Sequence, residues 1–166
     1  SISLAAGWQV MRAAELALQG ATKAEILAAV ESTKERTRVY IQIDSVEFIR
    51  RGGRLGALMP TIDRMIRALS IKPILNMGDG QLRLLGAARS TVRGLARIAT
   101  ELATLGSLEM VQVMHIRAEQ AANWVAREIA TSTRFALERI GIGEAGQVLA
   151  CHGGEGVVGV GALIAG

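Results

Sequence analysis

The chain has 166 residues, 50% of them apolar and 20% charged, with 19 Gly, 2 Pro and 1 Cys. That composition fits one globular domain or one large piece of a two-domain protein, and it excludes a disordered chain and an internal disulfide scaffold. The net charge of +4 is unevenly placed, with ten basic and two acidic residues between Arg50 and Arg97 and mildly acidic flanks.

In chain order, Leu4, Trp8, Met11 and Leu18 follow helical spacing, and Gly20 is a stop. Thr22 followed by Glu25 forms a capping box, predicting a helix over residues 23–35. The period then changes. Val39, Ile41 and Ile43 alternate with Arg38, Tyr40 and Gln42, a strand pattern. Asp44 is placed to cap a short helix through Phe48, ended by Gly52 and Gly53, and a second short helix is expected over residues 61–69. Residues 70–77 read as a strand, with Pro73 marking an edge or a bulge. Gly78-Asp79-Gly80 signals a hairpin, with residues 81–87 as its return strand. Ser90 caps a helix whose apolar face is Val92, Leu95, Ile98, Leu102 and Leu105, closed by Gly106. A strand over 110–116 and a helix over 118–131 follow; the helix is extended only weakly into 132–145. Residues 147–151 and 157–163 read as strands joined by a glycine-rich loop, His152–Gly156. The expectation is an α/β fold, a two-layer sandwich with a mixed, largely antiparallel sheet and helices packed on it.

Three features bear on chemistry. Arg50-Arg51-Gly52-Gly53-Arg54 sets three guanidinium groups around two glycines, where exposed backbone N–H groups and arginines can hold an anion. A helix C-cap with a solvated basic rim explains the same residues equally well. His152 lies beside flexible backbone and is suited to donate to a carboxylate or phosphate oxygen. Cys151 precedes it and, on a strand, points to the opposite face, so it reads as a small core residue. Arg89, Arg93 and Arg97 form one basic helix face, either solvated or aimed at an acidic partner. His115 shares a strand face with Val111 and Val113 and reads as structural. With two His, one Cys and no clustered carboxylates, no metal site is expected. No Walker A pattern and no strand-borne Gly-x-Gly-x-x-Gly is present. No uninterrupted apolar run spans a bilayer, and no secretory leader is visible at the start. A single cysteine suits a reducing compartment, so the expected location is cytoplasmic. A chain that opens on Ser1 reads as a fragment or a processed form.

The run from Asp44 to Leu55 with Arg50-Arg51-Gly52-Gly53-Arg54, then Ile71-Lys72-Pro73-Ile74-Leu75, Asp79-Gly80, Ala88-Arg89-Ser90-Thr91 and the closing His152-x-Gly-x-Gly, resembles the DegV family of bacterial fatty-acid-binding proteins. The resemblance covers nearly the whole chain. It implies two lobes with a long-chain fatty acid between them. Residues 1–36 are then a helical lead-in from an N-terminal lobe, and residues 37–166 the C-terminal α/β lobe. The Ser and Thr groups with which the family's first lobe holds the acyl carboxylate are not found here. The resemblance also implies that His152 completes the carboxylate grip and that Gly156 belongs to the closing loop. It implies as well that Arg51, Gly53 and Arg54 lie near the mouth of the site, and that Arg89, with Arg93 beside it, would meet a separate fatty-acid kinase that makes an acyl phosphate for phospholipid synthesis. Leu69, Ile71, Leu75 and Met77 are candidate walls for the acyl chain. Glu155 stands where the family usually has Pro, and a carboxylate there must point away or pair with an arginine. The expected protein is a non-catalytic binding subunit with no cofactor, no nucleic-acid partner and no stable membrane insertion. The alternatives are an enzyme acting on a phosphorylated or carboxylated metabolite through Arg51, Arg54 and His152, and a basic nucleic-acid-binding module. The scarcity of aromatics weakens the latter.

Overall fold

The computed structural model describes residues 3–45, 71–78 and 81–166. Helices α1 (Leu4–Leu18) and α2 (Lys23–Arg36) form an opening hairpin around Gly20, whose φ of +80° is the left-handed conformation expected of a helix stop. The capping box forms as its spacing predicts: Glu25 N–H donates to the Thr22 hydroxyl, and the Thr22 N–H donates to the Glu25 carboxylate at 2.7 Å. Among the described residues six strands follow: β1 (Thr37–Gln42), β2 (Lys72–Gly78), β3 (Gln81–Ala88), β4 (Leu108–His115), β5 (Gly141–Glu144) and β6 (Val158–Ile164). Helices α3 (Thr91–Ala103), α4 (Glu119–Thr133) and α5 (Gln147–Gly153) connect them. The sheet order is β3-β2-β1-β6-β4-β5. Only the β4–β5 pair is parallel among these neighbours, so the sheet is mixed and largely antiparallel, as the hairpin pattern implied.

One face of the sheet carries the main core. Leu95, Ile98 and Leu102 of α3 and Val125 and Ile129 of α4 pack on Val113, Val158 and Val160, all at 0% exposure. Fully burying each such side chain contributes about 1.5–3 kcal/mol. Val92, expected on this face, is 54% exposed, so the packed stripe begins one turn later. The other face meets α1, where Trp8 (5% exposed) sits on Gly161 of β6; a Cβ there would stand 3.2 Å from the indole. With elements on both faces, β1 is buried on both. Tyr40 and Gln42, read as the polar side of an alternating strand, are 5% and 0% exposed.

Four other expectations change. β2 lies between β1 and β3, so Pro73 is not on an edge strand; the expected bulge does occur beside it, as a register shift between Ile74 and Leu75. Leu85 is the extra residue on β3, and its carbonyl accepts a hydrogen bond from the Arg97 guanidinium at 3.1 Å. Residues 132–145 are not a helical extension. α4 stops at Arg134 in the left-handed region, a 3-10 turn spans Leu137–Arg139, and β5 then pairs with β4. Residues 147–151 form helix α5 rather than a strand. The four-residue apolar run Val148–Cys151 carries no period that separates the two, and the deciding residues are glycines: the Gly146 carbonyl accepts from Leu149 and Ala150, and Gly154 (φ +80°) ends the helix. Cys151 is consequently exposed rather than in the core, and the strand argument separating it from His152 does not apply. The short helices expected within residues 46–70 and the Asp79-Gly80 turn lie outside the described residues, although Gly78 pairs with Gln81 as a two-residue hairpin loop requires.

Candidate functional site at one end of the sheet

The strand directions gather distant segments at one end. β1, β3, β4 and β5 end there, and β2 and β6 begin there. That end therefore holds Asp44, Lys72, Arg89-Ser90-Thr91, the Ile116-Arg117 turn and the Gly154–Val157 loop. Asp44, the second residue after β1, sits at the centre. Its carboxylate forms an ion pair with the Lys72 ammonium at the start of β2 and accepts from the Thr91 hydroxyl at 3.3 Å at the start of α3. Gly156 lies against it with φ +84°; a Cβ there would come within 2.7 Å of the Asp44 Cβ. Ser90 caps α3 by accepting from the Arg93 N–H at 3.3 Å, as its position predicts.

His152 occupies the last turn of α5, half-buried. Its Nδ1 is shut from solvent and has no hydrogen-bond partner among the described residues. An unsatisfied buried ring nitrogen is costly, and a polar atom brought to it relieves that cost. Glu155 is exposed and reaches Arg117, whose guanidinium stands 3.9 Å away. The Arg117 backbone, at φ +48°, also donates to Glu144 at 3.3 Å. His115 is structural, as expected: it is 8% exposed and its Nδ1 accepts from the Ala118 N–H ahead of α4.

Arg89 and Arg93 are exposed at the same end. Arg97, one turn further along α3, is exposed as well. It lies across Gly86, bonds Leu85 and approaches Glu101 at 3.7 Å. Arg51, Gly53, Arg54 and Leu69 lie outside the described residues. Among the candidate walls, Leu75 is buried at 2% exposure, while Ile71 and Met77 are half-buried. Leu75 pairs with Ile41, which pairs with Gly159, which pairs with Met114. These residues share the sheet face that α1 contacts further along at Gly161. Around the Cβ position of Gly159, between Ile41 and Met114, the nearest described atoms are backbone carbonyls at 3.8 and 3.9 Å, so no described side chain comes within 4 Å of that strip of the sheet face. Sequence reading had treated Asp44 as a helix cap and had not paired it with Lys72, because a contact between residues 28 apart leaves no periodic signal. Among the described residues no group of His, Cys, Asp and Glu is placed to hold a metal, and no helix is long and apolar enough to cross a membrane.

A profile of the DegV family, described as uncharacterised proteins, matches residues 1–165. The chain belongs to the DegV family. A DegV domain-containing protein of Streptomyces coelicolor is 31% identical over 96% of this chain and 56% of its own length. A fatty-acid-binding DegV protein of Thermus thermophilus superposes with a TM-score of 0.80 at 26% identity, over 98% of this chain and 58% of that one. The Streptococcus pneumoniae fatty acid kinase B3 protein, loaded with linoleic acid, gives a TM-score of 0.79 at 21% identity, over 95% of this chain and 55% of that one, a likeness of fold. The chain spans little more than half the length of these relatives. Of the DegV motif segments, Asp44, Lys72, Ala88-Arg89-Ser90-Thr91 and the loop after His152 gather at this end of the sheet, while residues 50–55 and Asp79-Gly80 lie outside the described residues.

Proposed function

We propose that this DegV chain contributes one side of a fatty-acid site and presents the acyl carboxylate to a partner kinase, without catalysis of its own. The observation that carries the reading is the buried His152 Nδ1, without a hydrogen-bond partner among the described residues, at the sheet end where Asp44, Lys72, Arg89 and the Gly156 loop meet. The fatty acids bound by the Thermus and Streptococcus proteins support it. In this reading His152 donates to the carboxylate, and the Gly156 loop keeps backbone close to it. The acyl chain lies along the strip bordered by Ile41 and Met114, with Leu75 and Met77 on the same face. Burial of the chain supplies most of the affinity, at about 0.8 kcal/mol per CH₂. Arg89 and Arg93, exposed beside the carboxylate position, face the kinase, and the Arg51, Gly53 and Arg54 turn borders the mouth. Residues 1–36 act as the lead-in from a second lobe and residues 37–166 as the binding lobe, in a cytoplasmic protein.

The test is native mass spectrometry of the full-length protein, followed by lipid analysis of what it carries. We expect a co-purified fatty acid whose occupancy falls in His152→Ala, since losing one hydrogen bond to a charged group costs about 1.5–3 kcal/mol, or roughly ten- to a hundredfold in affinity. A full-length protein that neither carries nor binds a fatty acid overturns the reading.

A further inference from the structure

We propose that Asp44 is a positioning residue for the headgroup site, one that fixes the loop behind His152 by seating Gly156 while its carboxylate holds Lys72 and Thr91. The inference rests on the fatty-acid reading above and assigns that site a residue that need not touch the ligand.

The argument starts from what Asp44 joins. Lys72 opens β2, Thr91 opens α3 and Gly156 precedes β6, so one side chain ties three segments that are remote in sequence. The carboxylate is already occupied by a cation and a hydroxyl, which restrains its rotation. Gly156 then fits against the Asp44 Cβ and Cγ, where an added Cβ would stand at 2.7 and 2.8 Å. Its φ of +84° is a conformation that glycine adopts without strain.

The far side of the loop is held as firmly. The Gly156 N–H donates to the Ile116 carbonyl, and the Ile116 N–H donates to the Val157 carbonyl, both at 2.9 Å. The Gly154 N–H donates back to Ala150 at 2.9 Å, closing α5. The path from His152 to β6, residues 153–157, is therefore clamped between Asp44 and Ile116. Release of the Asp44 side lets that path relax and carries the end of α5 with it. The imidazole then leaves the geometry in which a carboxylate oxygen meets it, and small displacements of this kind weaken a directional hydrogen bond steeply.

The test is a double-mutant cycle on the full-length protein, read as oleate affinity by displacement of a fluorescent fatty acid. Asp44→Ala is expected to weaken oleate about tenfold in the wild-type background and by less than about twofold in His152→Ala, because the group it positions is then gone. Asp44→Asn, which retains the shape and can still accept from Thr91, is expected to recover most of the affinity. Gly156→Ala, which pushes the loop off Asp44, is expected to show the same dependence on His152 and serves where Asp44→Ala does not fold. Equal losses in both backgrounds, or none in either, overturn the inference while leaving the fatty-acid reading intact if His152→Ala still weakens binding. A wild-type protein that binds no oleate overturns both.

Discussion

Gly94 offers a sharp test of how α3 is seated on the sheet. A Cβ at this position would stand 1.5 Å from Gln42 Oε1 and 2.6 Å from its Cδ. Gln42 is 0% exposed, and its Nε2 donates to the carbonyls of Ile43 at 3.1 Å and Pro73 at 3.4 Å. On helix propensity alone, Gly94→Ala gains about 1 kcal/mol. Against that, driving Gln42 from its place breaks two hydrogen bonds at about 0.5–1.5 kcal/mol each, and overpacking adds about 1–3 kcal/mol. The expected balance is a loss of roughly 3 kcal/mol, read as a lower urea midpoint at unchanged slope. The sign should reverse in a Gln42→Ala background, where the new methyl has room and helix propensity leaves Gly94→Ala neutral or stabilising by up to about 1 kcal/mol. A neutral or stabilising Gly94→Ala in the wild-type background, or the same loss in both backgrounds, would refute the packing argument.

Two further predictions concern stability. Burial, and then the Glu101 carboxylate, raise the Tyr40 hydroxyl above its ordinary value of 10.0. Its contribution is therefore fully present below 10.0 and lost as pH rises from there through the raised value of the folded state, so Tyr40→Phe should flatten the alkaline fall in the unfolding midpoint. Trp8→Ala removes the indole seated on Gly161 and should cost about 3 kcal/mol in chemical denaturation, detaching α1 from the sheet. A change below about 0.5 kcal/mol would mean that α1 holds to the sheet by other contacts.

The elements with strong local signals were legible from the residues alone. Thr22 with Glu25 marked the start of α2, Ser90 the start of α3, and Leu95, Ile98 and Leu102 its buried face. The misreadings occurred where local sequence leaves the choice open. Val148–Cys151 is apolar without a period, and Gly141–Glu144 is a strand held by its pairing with β4. Tyr40 and Gln42 looked like the wet side of a strand because the sequence does not show that both faces of β1 are covered. The site follows the same division. Its segments could be marked by resemblance, and His152 by its setting among glycines. The Asp44–Lys72 pair and the Arg117–Glu155 approach could not be read, since both depend on the order of strands in the sheet.

The bulge at Leu85 has a consequence for how this protein behaves in a crowded solution. β3 is an outer strand, and outer strands with free carbonyls invite strands from other molecules. Here the extra residue breaks the regular spacing that an incoming chain would need, and Arg97 occupies the Leu85 carbonyl while lying across Gly86. A guanidinium laid over the outer strand places charge where a cross-β neighbour would have to dock. Arg97, which the sequence leaves either solvated or aimed at an acidic partner, is thus placed to hinder strand addition at β3.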